Sequence, residues 1–398
     1  MTKVALLTHG YRLGGGVPSV ARWLRDSLEA TGHYSVEIYD LATSSNDGLS
    51  RRLARPRSWM RQSLQGIQSS EAEERHWGAN SVELEFMRYR PRKELTAKLN
   101  RFDLVQVVAG SPAWGAVAAK VDVPVVLQVA TRAVWERKSQ IGSWNGLSRP
   151  WRRSMTAATT RIEDSAVRMA STVLVENSSM LEYVQAAGQS KVMIAPPGVD
   201  VSTFAPHPAG WQKSGPILSV CRLSDPRKGL DRLLNAYSKV RRSLKGAPGL
   251  VLAGRGPFPD DLRAQIEALG MGPHVLVRAD VHPTELPNLY RSASVFIQGS
   301  HEEGLGLSAL EAMASGLPVV STETHGAREM VEPELTGHLV QQTSEDAVVC
   351  GIARRIQEVL EVDGEKMSGM ARERCVQLFS SDATLRAFTR TYDSLLNA

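Results

Sequence analysis

The chain has 398 residues, of which 42% are hydrophobic and 22% charged, a balance that excludes disordered and fibrous classes and suits two cores of roughly 200 residues each. The net charge of +5 is uneven: 26 Lys and Arg stand against 19 Asp and Glu up to residue 208, and 21 against 23 beyond it. The basic first half therefore expects an acidic partner, a membrane surface or a phosphorylated acceptor before nucleic acid.

Val4 to Thr8 is a short apolar run, Gly10 to Gly16 a glycine-rich turn, and Val17 to Ala30 carries apolar residues at helical spacing with Pro18 in the first turn. Ser35 to Leu41, Leu104 to Val108, Val123 to Val129 and Val173 to Glu176 read as strands. The Arg-rich stretch from Ala42 to Arg101 reads as helix or loop. MTKVALLTHG reads as a buried strand and glycines, not a leader, and no apolar run reaches about 18 residues, so a cytoplasmic protein is expected, at the inner face of a membrane if the basic half meets lipid. Cys221, Cys350 and Cys375 have no metal-binding spacing and read as core fillers.

PPGVDVSTFAPHPAGWQKSGP, residues 196 to 216, has linker composition. Strand and helix alternation restarts at Ile217 to Arg222 and continues through Leu250 to Ala253, His274 to Val277, Ser294 to Gln298 and Pro318 to Ser321, the pattern of a parallel doubly wound sheet. The expected division is a domain over 1–200, a linker over 201–216, a second domain over 217–380, and a C-terminal helix over 381–398 returning to the first.

Ligands of such sheets bind at the carboxyl ends of strands. There the second half places Arg222 to Lys228, Gly254-Arg255-Gly256, Ser300 to Gly306 and Thr322 to Glu329. Gly304 and Gly306 leave backbone N–H groups bare before the helix that carries Glu311, an anion site for phosphate oxygens, and Arg222 and Lys228 add fixed positive charge. Gly14-Gly15-Gly16 offers a similar turn in the first half. Each piece has a plainer reading. Ser308 and Glu311 also form a capping-box spacing, the two cations suit a solvated strand end, and the GGG stretch has Ser19 where the dinucleotide fingerprint needs glycine.

Taken together, GGGVPSVARWL, PPGVDVSTFAP, SVCRLSDPRKGLDRLLNAY and HEEGLGLSALEAMASGLPVVSTETHGAREMVEPELTGHLV resemble the retaining glycosyltransferases of family four. The last stretch resembles their E-x7-E motif, with Glu303 and Glu311 as its acids. The resemblance implies the GT-B fold, two Rossmann-like doubly wound domains facing across a cleft, and transfer of a sugar from a nucleotide-diphosphate donor to an acceptor hydroxyl with retention and without metal or cofactor. By the resemblance Glu303 meets donor-sugar hydroxyls, Glu311 the ribose, Arg222 and Lys228 the diphosphate. Gly15, Gly16, Gly254, Gly304, Leu305, Gly306 and Leu307 line the donor. No Asp-x-Asp occurs.

Two departures stand out. Ala130 occupies a position where relatives carry His, leaving the residue that assists the acceptor hydroxyl open, and Ala279-Asp280 stands where a glycine is usual near the base. A nucleotide-sugar epimerase of the same fold, or a non-catalytic binding protein, are the alternatives. Finally, Trp135, Trp144 and Trp151 interleave with Arg137, Lys138, Arg149, Arg152 and Arg153, which fits either a headgroup interface or an Arg-rich acceptor loop with its tryptophans packed inside.

Overall fold

The structure is a computed structural model that describes residues 1–12, 15–60, 64–67, 74–138 and 148–397. Two compact units divide the chain, Met1–Pro197 with Thr384–Ala398, and Gly198–Ala383.

Unit 1 is an eight-stranded sheet in the order β3-β4-β2-β1-β5-β6-β7-β8. Its strands are β1 Thr2–His9, β2 Tyr34–Leu41, β3 Gln65–Ile67, β4 Glu74–Trp77, β5 Leu104–Ala109, β6 Val125–Val129, β7 Thr172–Val175 and β8 Val192–Ile194. The β3–β4 pair is antiparallel and the rest run parallel. Helices on both faces exclude water, which is why β5 is buried at every position.

The stretch expected as helix or loop thus contributes two strands. β4 is Glu-Arg-His-Trp, a poor strand sequence, and it is held by side-chain pairs. Arg75 Nε lies 3.2 Å from Glu37, Arg12 Nε 3.1 Å from the buried Glu74, and His76 sits between Asp40 and Asp47 at 2.7 Å each. Burial alone would lower the His76 imidazolium, but its bonds to both carboxylates raise it to about 9. The C-terminal helix Ser381–Leu396 contributes to unit 1: Tyr392 donates to Gln106 at 2.8 Å, and Phe388 meets Trp23 edge-on at 5.6 Å.

Unit 2 is a six-stranded parallel sheet in the order β11-β10-β9-β12-β13-β14, with β9 Ile217–Arg222, β10 Leu250–Arg255, β11 Val275–Ala279, β12 Val295–Gln298, β13 Val319–Thr322 and β14 Gly337–Val340. Alternate residues feed separate cores: Ile217 packs with Leu233, Tyr237 and Ile352, and Leu218 with Leu310, Met313 and Phe379.

The 201–216 stretch, expected as a linker, lies within unit 2. Val199 N–H donates to Phe379 at 2.8 Å, Arg372 donates to the carbonyls of Val201 and Phe204 at 2.9 Å, and Trp211 Nε1 donates to Ser294 O at 2.7 Å. Its prolines and glycines fit a strap whose hydrogen bonds go to other segments instead of to itself. Cys375 is a core filler and Cys221 partly buried, whereas Cys350 is exposed, contrary to its expected place inside.

Candidate functional site

Strand order reverses between β9 and β12, and the loops leaving their carboxyl ends build the candidate site. After β9 the chain turns around Asp225, whose carboxylate accepts from Arg227 N at 3.1 Å and from Arg227 Nη2 at 2.8 Å. Gly229 follows at φ 60°, where a Cβ would lie 2.2 Å from Gly299 O, so only glycine lets the two loops touch. This turn delivers Lys228 Nζ to 2.5 Å from Glu303 Oε2. The same oxygen accepts from Gln298 Nε2 at 2.9 Å and Ser300 Oγ at 3.3 Å.

The lysine side chain is 20% exposed and the glutamate 18%. Burial alone would lower the Lys228 ammonium; Glu303 reverses this and holds it above its ordinary value, so the cation stays charged at neutral pH. Arg222 is apart from this pair, 53% exposed, with Asp225 at 3.6 Å.

Gly306, at φ 103°, opens the helix Leu307–Ala314. Ser308 therefore lies inside the first turn, and the capping-box reading of Ser308 and Glu311 is incorrect because the cap is a glycine with no side-chain bond. Glu311 turns instead to Tyr290, whose hydroxyl donates to its Oε2 at 2.7 Å. Burial raises the Glu311 carboxyl to about 7, with the Tyr290 bond opposing. The loop before the helix is clamped from β13: Gly326 N–H donates to Glu303 O at 2.9 Å, and a Cβ on Gly326 would fall 2.3 Å from Leu305 Cα.

Behind the loop, Arg232 is 4% exposed and donates to Gly299 O at 3.2 Å, to Gln342 at 2.9 Å and to Glu345 at 2.6 Å. Gln342 in turn donates to His301 O at 3.2 Å. Tyr290, Gln298, Gly326 and Arg232 had no individual signal in the sequence, because each acts through a partner distant along the chain.

Lys228 and Glu303 are thus in contact, and Leu305, Gly306 and Leu307 share their loop and helix start. Gly254, at φ 144°, is explained by packing: a Cβ would lie 1.7 Å from Cys221 O. Gly15 and Gly16 belong to unit 1, where Gly15 at φ 107° caps the helix Gly16–Ala30; Gly14 lies outside the described residues.

In unit 1 the loop after β6 holds Ala130 and Thr131, whose N–H groups share Gly110 O. Glu163, fully buried, accepts from Ser111 Oγ at 2.6 Å and Ala133 N at 2.8 Å. Of the aromatic and basic stretch, Trp135 packs against Tyr183 and Arg137 is tied to Glu85 and Thr156, while Trp151 is 54% exposed. Trp144 and the side chain of Arg149 lie outside the described residues. Among the described residues, no group of three His, Cys, Asp or Glu is placed to hold a metal, and no helix is long and apolar enough to cross a membrane.

Residues 208–373 match the family described as glycosyl transferases, group 1. A GDP-mannose-dependent alpha-(1-6)-phosphatidylinositol monomannoside mannosyltransferase of Mycobacterium tuberculosis is 37% identical over 173 residues, 40% of this chain and 45% of that protein. A D-inositol 3-phosphate glycosyltransferase of Segniliparus rotundus is 30% identical over 239 residues, 58% of this chain and 52% of that protein. The chain thus spans about half the length of these curated relatives. Sucrose-phosphate synthase from Thermosynechococcus elongatus superposes with a TM-score of 0.73 at 20% identity over 100% of both chains. HepE of Anabaena, solved with UDP and glucose, gives 0.72 at 15% identity over 99% of this chain and 100% of its own. The fold is GT-B.

Proposed function

We propose, from the premise that residues 208–373 belong to the group 1 glycosyl transferases, that the protein is a retaining, metal-independent glycosyltransferase. It moves a sugar from a nucleotide-diphosphate donor to an acceptor hydroxyl. The observation that carries the reading is the Lys228–Glu303 pair at the glycine-opened start of the helix whose inner carboxyl is Glu311.

In this reading the diphosphate lies against Lys228, Arg222 and the N–H groups at Gly306 and Leu307, so that charge developing on the leaving group meets fixed cations and a helix N-terminus. Glu303 receives donor-sugar hydroxyls, held in place by Gln298 and Ser300. Glu311 receives the ribose. Donor phosphate also resolves a local tension, because Lys228 can bond a phosphate oxygen as well as Glu303 with its three N–H groups. The reaction breaks the bond from anomeric carbon to phosphate oxygen and forms one to the acceptor oxygen, whose proton leaves with the nucleoside diphosphate or to solvent.

For the acceptor, we favour a phosphate-bearing molecule in the cytoplasm. The charge excess of the first half supports it, as do the phosphorylated acceptors in the names of both relatives. The test is donor consumption over a panel of nucleotide sugars, with and without acceptors, followed by NMR of the product anomer. Consumption that requires acceptor, with the donor's anomeric configuration kept, is expected. Turnover of donor alone to an epimer, an inverted product, or no donor binding would each overturn the assignment.

A further inference from the structure

The loops following β9 and β11 both approach Gly256 of the β10 loop, the first through Ser224 and the second through Asp280. Asp280 stands at φ 50°, a left-handed backbone that few residues other than Gly, Asn and Asp adopt readily. Its Oδ1 accepts the N–H of Gly256 at 2.8 Å, and Gly256 is itself at φ 81° with its Cα side against Ser224, where a Cβ would lie 3.0 Å from Oγ. One carboxylate oxygen therefore ties the β10 loop to the β11 loop. The other oxygen has no hydrogen-bond or ionic partner among the described residues, and the side chain is exposed. The nearby charged groups on its own loop are already engaged, Arg278 with Glu285 at 2.6 Å and His282 with Thr284 at 2.8 Å.

The next residue, Val281, packs with Leu286 and Leu289 on the core that contains Tyr290, Leu305 and Leu310. Its N–H reaches Gly254 O at 3.3 Å. A half-buried apolar residue and a fixed carboxylate thus stand side by side at the strand ends. They stand next to the segment that supplies Tyr290 to Glu311.

We infer that Asp280 selects the base of the donor and that the base is guanine. The inference rests on the donor reading above, in which Glu311 takes the ribose. Tyr290 ties Glu311 to the helix Leu286–Ser292, which leaves the β11 loop, so a nucleoside whose sugar lies at Glu311 has its base on the β11 side. An ionised carboxylate only accepts hydrogen bonds. Guanine presents two adjacent donors, N1–H and N2–H, to such a group. Uracil presents one N–H between two carbonyl oxygens that a carboxylate repels, and adenine and cytosine present an amino group beside a ring acceptor. A site built to receive two donors rejects ligands that leave it unpaired. The bond from Gly256 preorganises the carboxylate, and Val281 offers the ring face an apolar contact.

The experiment is calorimetric titration of the full chain with GDP, UDP and ADP, repeated with Asp280→Asn and Asp280→Gly. Both replacements tolerate the left-handed backbone, and Asn keeps an oxygen for Gly256. GDP should bind at least about tenfold more tightly than UDP or ADP, on the scale of one bidentate base contact. Asp280→Asn and Asp280→Gly should each lose that preference by weakening GDP alone, with UDP unchanged. Equal or tighter binding of UDP or ADP by the parent protein, or undiminished GDP preference in both variants, overturns the assignment of the base and leaves the donor reading standing. Failure of all three nucleotides to bind removes the donor reading, and this inference with it.

Discussion

Glu311→Gln separates the electrical consequence of burying this side chain from its packing. The carboxyl moves from an ordinary 4.5 to about 7 in the folded chain. Below pH 4.5 it is protonated in folded and unfolded chains alike, and burial carries no electrical penalty. Between 4.5 and 7 the unfolded chain ionises while the folded one keeps its proton, so stability falls as pH rises. Above 7 the folded protein bears the whole penalty, about 3 kcal/mol for a shift of this size at 1.36 kcal/mol per unit. Gln keeps an oxygen for the Tyr290 hydroxyl, which donates at 2.7 Å, but never ionises. The stability of Glu311→Gln minus that of the parent should therefore rise by about 3 kcal/mol between pH 4 and pH 8.5. Urea unfolding followed by a probe in unit 2 gives the difference at each pH. A pH-independent difference, or one that falls with pH, would refute the reasoning. The same titration tests the proposed ribose role of Glu311: in that reading the ribose hydroxyls donate to the ionised form, so nucleotide affinity should rise through pH 7 in the parent and stay flat in the variant.

Lys228→Ala should lower kcat/KM by on the order of 100-fold, the scale of one lost electrostatic stabiliser, with the fold kept; near-parent activity would remove Lys228 from the mechanism. Gly326→Ala places a methyl within 2.3 Å of Leu305 backbone and should weaken nucleotide binding more than tenfold in a chain that still shows parent-like circular dichroism, whereas unchanged binding would mean the clamp is dispensable. Arg232→Met strips Gly299 O and Gln342 of their donor and should cost about 1–3 kcal/mol in urea unfolding; no loss would show the network to be slack. Activity should persist in excess EDTA, and loss restored by Mg²⁺ or Mn²⁺ would contradict the metal-independent reading. For the exposed Trp151 beside Arg152 and Arg153, co-sedimentation with anionic but not neutral liposomes, falling with salt, would extend the acceptor reading to a membrane surface; equal recovery in the supernatant leaves a small phosphorylated acceptor.

Buried parallel strands were legible wherever they are runs of Val, Leu and Ile. β1, β5, β6, β9, β10 and β12 fall within one or two residues of their expected places, because a strand covered on both faces is mostly apolar. β4 was not legible for the converse reason. Three of its four residues are ionisable, and what makes it a strand is the alignment of Asp40, Glu37 and Arg12 from elsewhere in the chain, which no local window contains. The 201–216 strap failed similarly: linker composition records that the backbone does not bond to itself, and is silent on whether other segments supply the bonds.

At the site, the residue types pointed to an anion such as a phosphate and the sugar roles came only from the family resemblance, but which glycine does what was a question of geometry. Gly254, Gly229 and Gly326 are each required because a carbonyl or Cα of another strand or loop lies where their Cβ would be. Gly306 combines a left-handed backbone with the start of the helix that carries Glu311, the helix start that the proposed function turns toward the donor. Glu311 shows how far spacing reaches. Eight positions from Glu303 it is fixed on the helix, yet whether it caps, accepts or titrates depends on Tyr290, 21 residues away along the chain. A helix carboxyl buried with one phenol as its donor is costly to ionise unless a further group donates to it. That cost is the physical reason to look for a hydroxyl-bearing ligand there.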